Sequence, residues 1–206
     1  MWRSSKLFAL IGVCCGVAWA GLVRGDDEPG LQVGDAVPEF QAQDDQGRLW
    51  NSRDIVRKKP LVVFFYPSDF ARCCTKQAER YRDQMRELRD LGVEVVGVSG
   101  DAVEAHRLFH ETHKLNFALL SDFDGRVAEQ FKVPLRTGGK AMIADAEGKS
   151  VVDSEGRAAK ISRNFTATPW TFIIGKDGRI LYRNAVVAPV KDSQEVLDVL
   201  RKLDPK

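Results

Sequence analysis

The chain has 206 residues, of which 44% are hydrophobic and 29% charged, with a formal net charge of +2. That is enough apolar material for one globular domain with a full core, and too small a charge excess for a surface built around nucleic acid or anionic membrane. Four cysteines fall in two adjacent pairs, Cys14-Cys15 and Cys73-Cys74. If the first pair is lost by N-terminal processing, the adjacent Cys73 and Cys74 cannot staple a fold together, which excludes a disulfide scaffold.

In chain order, Arg3 and Lys6 form a positive start, Leu7 to Val17 an apolar stretch, and Ala18-Trp19-Ala20 an A-x-A cleavage site. This is the pattern of a signal peptide over residues 1–20, followed by a polar linker over 21–30 and a domain over 31–206. The competing reading is a membrane anchor over residues 7–22, for which the apolar stretch is short. A lipoprotein signal fits less well, because Val13 stands before Cys14 where a small residue is needed. Cleavage after Ala20 removes two bases and no acid, so the formal charge falls to zero. Only Cys73 and Cys74 then remain, and a periplasmic or secreted location is expected.

Leu31 to Asn51, with the turn Asp44-Asp45-Gln46-Gly47, reads as an N-terminal hairpin. A buried strand over 61–66, a helix over 74–91 closed by Gly92, and a buried strand over 93–98 follow. Next come a helix over 102–115, a short strand over 117–120 and a helix over 125–131. Residues 140–165 read as an insertion or extended hairpin, with turns at Ala146-Glu147-Gly148 and Ser154-Glu155-Gly156. Strands over 170–174 and 179–183 flank Lys176-Asp177-Gly178, and a helix over 192–203 ends the domain. The alternation describes an α/β fold with helices around one mixed sheet.

The most informative segment is LVVFFYPSDFARCCTKQAERYRD, residues 61–83. A continuous apolar strand runs into a polar turn and then, from Cys74 onward, a helix whose apolar stripe is Ala78, Tyr81, Met85 and Leu88. Cys74 lies in the first helical turn, where unpaired N–H groups and the helix dipole favour a thiolate. A lowered Cys74 pKa and redox chemistry are expected. Two inert buried thiols are the plain alternative.

From Leu31 to Leu203 the chain resembles the peroxiredoxins, the alkyl hydroperoxide reductase and thiol-specific antioxidant family. The nearest branch is the bacterioferritin comigratory protein or peroxiredoxin Q type. The resemblance rests on Gly34-Asp35, Pro38 and Phe40, then FFYPSDF, Cys74-Thr75-Lys76-Gln77-Ala78, GVEVVGVSGD, LLSD and TFIIGKDGRI, in order. It implies a thioredoxin-like fold with a central mixed β-sheet flanked by helices. It also implies a thiol peroxidase in which Cys74 attacks the peroxide and Pro67 shields the site. The family motif P-x-x-x-T-x-x-C matches at Pro67 and Cys74, but Ala71 stands where the family has threonine. Pro169 stands where the family has the arginine that supports the thiolate. Ala167-Thr168-Pro169 instead resembles the proline segment facing the cysteines of thioredoxins. Arg72 and Arg163 are candidates for the missing charge, each otherwise read as a solvated surface arginine. Glu79 occupies the usual resolving-cysteine position, which leaves Cys73 as the possible resolving thiol and an external thiol or thioredoxin-like reductant as the simpler route.

On this reading the substrate is hydrogen peroxide or an organic hydroperoxide, oxidising Cys74 to a sulfenic acid, with no metal or organic cofactor and no nucleic-acid partner. A homodimer is an open expectation. Gln77 is either a hydrogen-bonding residue near the site or a plain helix-surface glutamine. The rivals are a thiol–disulfide oxidoreductase or redox sensor using Cys73-Cys74, and an inactive binding protein on the same fold. His106, His110 and His113 share one side of a helix, a spacing that suits either a metal or a solvated face.

Overall fold

A strand in which all five residues are buried organises the domain. In the computed structural model, which describes residues 30–203 except 144, 146–147 and 152–155, this strand is the third of eleven. The elements in order are β1 (Gln41–Asp44), β2 (Leu49–Asn51), β3 (Leu61–Phe65), α1 (Arg72–Asp90), β4 (Glu94–Ser99), α2 (Val103–His113), β5 (Ala118–Ser121) and α3 (Arg126–Gln130). They continue with β6 (Leu135–Thr137), β7 (Lys140–Met142), β8 (Lys160–Ser162), β9 (Phe165–Ala167), β10 (Trp170–Ile174), β11 (Ile180–Asn184) and α4 (Asp192–Leu203).

The main sheet runs β11-β10-β3-β4-β5-β1-β2. The pairs β3–β4 and β4–β5 are parallel, and β10, β11, β1 and β2 join antiparallel. This is the expected mixed sheet of a thioredoxin-like fold, with the hairpin at 41–51 on one edge. Alternation along β3 divides the core in two. Val62 and Phe64 face Ala78, Tyr81 and Leu88 of α1, Phe109 of α2 and Leu197 of α4. Leu61, Val63 and Phe65 face Val127 of α3, Phe131 and Phe172. Phe64 stacks on Tyr81 with centroids 4.5 Å apart, and Gly97 on β4 makes the room, since a Cβ there would lie 2.7 Å from the Phe64 ring.

Boundaries depart from expectation by one or two residues. The helix expected from Cys74 begins at Arg72, because Ala71 is the extended cap and its carbonyl already accepts the Thr75 N–H. The irregular stretch resolves into two small antiparallel pairs, β6–β9 and β7–β8. Ile143 and Ile161 pack onto the α1 side of the core, so the hairpin folds back toward the start of α1. The two turns expected within it lie partly outside the described residues.

Gln77 is not the surface residue that one of the two readings expected. It is buried, and its amide donates to Asp192 Oδ2 at 2.9 Å, an atom that also accepts from Tyr81 at 2.8 Å and Thr171 at 2.8 Å. Helical spacing accounts for this: Gln77 lies three residues after Cys74 and four before Tyr81, inside the apolar stripe. The Asp192 carboxylate thereby ties α4 to α1 and β10. Removing it strands three buried donors, so Asp192→Ala is expected to cost about 3 kcal/mol or more in urea unfolding, and Tyr81→Phe about 1 kcal/mol.

Candidate active site

The carboxyl end of β3 and the first turn of α1 are joined by six residues, Tyr66 to Ala71. Pro67 is half-buried, and Ser68, Asp69 and Phe70 are buried. Phe70 adopts φ +58°, a left-handed conformation that a bulky residue takes only where its surroundings hold it. Two interactions do so. The Phe70 ring packs edge-on against Phe109 with centroids 5.1 Å apart. The preceding residue, Asp69, has no exposed surface and is bonded on every side.

Asp69 Oδ1 accepts from the Tyr66 hydroxyl at 2.8 Å, and Oδ2 lies 2.8 Å from His106 Nδ1. The Asp69 N–H donates to Asp101 Oδ2 at 2.9 Å, and its carbonyl accepts from Ser68 Oγ at 2.7 Å. Asp101 is itself held by the Ser99 hydroxyl at 2.8 Å and by Arg163 Nη1 at 3.4 Å. Two acids, a histidine and an arginine thus form a buried, charge-balanced cluster beneath the reactive turn. Burial alone disfavours the His106 imidazolium, but the charge and hydrogen bond of Asp69, with Asp101 behind it, raise its pKa above the ordinary 6.5. Burial, reinforced by Asp69, raises that of Asp101.

Arg163 is therefore not the solvated arginine expected. Its side chain is 7% exposed and reaches in from the segment between β8 and β9 to pair with Asp101. Arg72 does lie on the surface, as expected. The three histidines of α2 do not converge: His106 meets Asp69, His110 lies 3.7 Å from Asp45, and His113 lies 3.3 Å from Glu79. Pro169 follows a trans peptide bond, as does every described residue.

Cys73 and Cys74 are both free thiols in the first turn of α1, with sulfurs 3.8 Å apart. Ala71 offers no side-chain cap, which leaves the helix-start N–H groups unclaimed by a side chain. They serve the exposed member of the pair. The Cys73 thiol is lowered to about 6 by the Cys74 S–H and by the backbone N–H groups of Cys74 and Cys73. Cys74 is 2% exposed, and its thiol is pushed well above the usual range by the Cys73 sulfur, by burial and by Cys73's charge; only the Ser68 backbone N–H opposes this appreciably. The expected low pKa of Cys74 is thus corrected. The stripe that defines the helix also turns Cys74 into the core, and the dipole's benefit passes to its neighbour.

Beside the turn a cleft of about 820 Å³ opens between the start of α1 and the β7–β8 hairpin, lined by Ser68, Ala71, Arg72, Thr75, Lys140 and Arg163 among others. Sequence reasoning missed Asp69, Asp101 and His106 as parts of one cluster. The available signal was polar residues placed directly after buried strands.

A thioredoxin-like sheet with a free cysteine pair opening the helix after a central strand is the arrangement found in thiol-based redox families. The pattern of the AhpC/TSA family matches residues 33–183, and the chain belongs to that family, the peroxiredoxins. It is 43% identical over 101 residues to "Peroxiredoxin Q, chloroplastic" of Sedum lineare, covering 49% of this chain and 54% of that protein. It is 40% identical over 103 residues to "Putative peroxiredoxin bcp" of Coxiella burnetii, covering 50% and 68%. The matches span about half the length of most of these curated relatives. The crystal structure of peroxidoxin BcpB from Mycobacterium tuberculosis superposes with a TM-score of 0.67 at 27% identity, over 84% of this chain and 99% of that one.

The raised pKa of His106 carries a sign. Stability from the Asp69–His106 pair is fully present below about pH 6.5 and is lost as pH rises through the higher folded value. The melting temperature of the wild type is therefore expected to fall relative to that of His106→Asn as pH climbs above about 6.5. A constant difference between the two across that range contradicts the charged pair.

Proposed function

We propose that the chain is an exported thiol-dependent peroxidase that reduces hydrogen peroxide or organic hydroperoxides through Cys74. The observation that carries this is the placement of Cys74, in an AhpC/TSA chain, in the first turn of the helix that follows Pro67, within hydrogen-bonding reach of the Ser68 backbone. The two thiols titrate as one unit. The first proton leaves at about 6, and the second stays between sulfurs 3.8 Å apart. When that proton rests on Cys73, the charge rests on Cys74.

The Cys74 thiolate attacks the terminal peroxide oxygen. The S–O bond forms, the O–O bond breaks, and the departing alkoxide or hydroxide takes a proton to become an alcohol or water. Sulfur is oxidised by two electrons to the sulfenic acid. An external thiol condenses with it, releasing water and leaving a mixed disulfide, and a second thiol frees Cys74. Glu79 offers no resolving sulfur, so the reductant comes from outside unless Cys73 closes on its neighbour. The clustered Asp69, His106, Asp101 and Arg163 hold the turn in place for the attack. Residues 1–20 direct export.

A second reading has its own observation. Cys73 is exposed and ionises first, which suits a thiol–disulfide oxidoreductase that attacks a disulfide through Cys73. Stopped-flow consumption of hydrogen peroxide by the reduced protein separates the two. The peroxidase reading expects a rate well above that of a free thiol, abolished in Cys74→Ser and retained in Cys73→Ser. It also expects Cys74 to titrate lower in Cys73→Ser than in the pair, since the competing thiolate is gone. A free-thiol rate unchanged in Cys74→Ser overturns it, and disulfide turnover lost in Cys73→Ser supports the second reading.

A further inference from the structure

Recycling of Cys74 turns on which sulfur can reach it. Cys74 is 2% exposed on the buried face of α1, so a thiol arriving from solvent meets almost none of its surface. Glu79, five residues further along the helix, carries no sulfur. Cys73 is exposed, and its sulfur already lies 3.8 Å from that of Cys74, which is van der Waals contact. A group held in contact has a large effective concentration over any reagent free in solution.

Position along the helix matters as much as distance. Closing a disulfide between neighbours pulls both residues away from helical dihedral angles, which in mid-helix breaks backbone hydrogen bonds. Here the pair stands in the first turn. The first N–H of α1 to find a helical acceptor is that of Thr75, which donates to the Ala71 carbonyl at 2.8 Å. The N–H groups of Cys73 and Cys74 therefore have no helical bond to lose, and Ala71 adds no side-chain cap to hold them. Asp69 clamps the turn before the pair, and Cys74 is packed into the core. Cys73 is the sulfur left free to move.

Charge favours the same step. The Cys73 thiol is lowered to about 6 by the Cys74 S–H and by the backbone N–H groups of Cys74 and Cys73, and those N–H groups remain once Cys74 is oxidised. Lys76, three residues on along the same helix face, is exposed and has no ion-pair partner among the described residues.

We infer that Cys73 closes on oxidised Cys74 to form a vicinal disulfide, so that the adjacent pair is the recycling centre. The inference rests on the peroxidase reading for the sulfenic acid. The Cys73 thiolate attacks the Cys74 sulfur. The S–S bond forms, the S–O bond breaks, and the departing hydroxide takes a proton to become water. An external thiolate then attacks the exposed Cys73 sulfur, and Cys74 leaves and takes up a proton. A second external thiolate releases Cys73, the two external sulfurs departing as a disulfide. Neighbouring Cα atoms are about 3.8 Å apart, closer than the about 4.4–6.8 Å of ordinary disulfides, so the ring is strained and easily reduced.

The test treats the reduced protein with one equivalent of hydrogen peroxide, without added thiol, and reads the segment holding residues 73 and 74 by mass spectrometry. In the wild type this segment is expected to lose two hydrogens, and fragmentation between residues 73 and 74 to release no separate pieces until a reductant is added. In Cys73→Ser the same segment is expected to gain oxygen instead. With dimedone present, the adduct on Cys74 is expected to rise in Cys73→Ser, because the competing sulfur is gone. A wild-type segment that gains one oxygen and keeps the Cys73 thiol overturns closure, as does a disulfide between two chains, even where peroxide is consumed fast. If peroxide is consumed no faster than by a free thiol, the peroxidase reading fails instead. Diamide, which oxidises dithiols directly, then decides closure: loss of two hydrogens within the segment supports it, and disulfides only between chains overturn it.

Discussion

The reactive end of this molecule depends on one carboxylate. Asp69 has no exposed surface, yet it bonds Tyr66 just beyond β3, His106 from α2 and, through its own N–H, Asp101 beyond β4. Three elements of the fold therefore converge on the residue in the middle of the turn. A buried charge of this kind is stabilising only while its partners are in place, and breaking such a pair typically costs about 3–5 kcal/mol. The left-handed Phe70 next to it shows where that rigidity is used. A bulky residue held in a costly conformation sets the direction in which the chain enters α1, and with it the positions of Cys73 and Cys74.

At the helix start two physical effects compete, and they divide between the two cysteines. The uncapped N–H groups stabilise negative charge, while burial opposes it. Cys73 receives the first effect and Cys74 the second. The pair then behaves as a store for one charge whose location is set by one proton. In this chain, where alanine stands at the position of the family's threonine and proline at that of its arginine, the vicinal Cys73 is the largest influence on the Cys74 thiol, the proposed nucleophile. Arg163 enters from a different part of the chain and neutralises Asp101, so its charge supports the turn from beneath.

Much of the fold was legible because its signals are local. β3 is a continuous apolar run, α1 repeats at three and four residues, and Lys176-Asp177-Gly178 marks its hairpin. The candidate cysteines were legible for the same reason. The cluster around Asp69 was not, since His106 is 37 residues away and Arg163 meets Asp101 across 62. Such contacts arise from the order of strands in the sheet, which periodicity does not encode. Gln77 and the burial of Cys74 are a different case. Both share the buried face of α1 with the apolar stripe, and projecting the helix from that stripe places both inside. The irregular stretch 140–165 carries weak local signals because its strands are only three residues long and mostly exposed.

In the proposed reaction Cys74, and not its more acidic neighbour, is the sulfur that takes oxygen. Mass spectrometry of the reduced protein, treated with one equivalent of hydrogen peroxide in the presence of dimedone, tests this directly, since fragmentation between residues 73 and 74 assigns the adduct. The account predicts the sulfenic acid adduct on Cys74. An adduct on Cys73, with Cys74 unmodified, contradicts it.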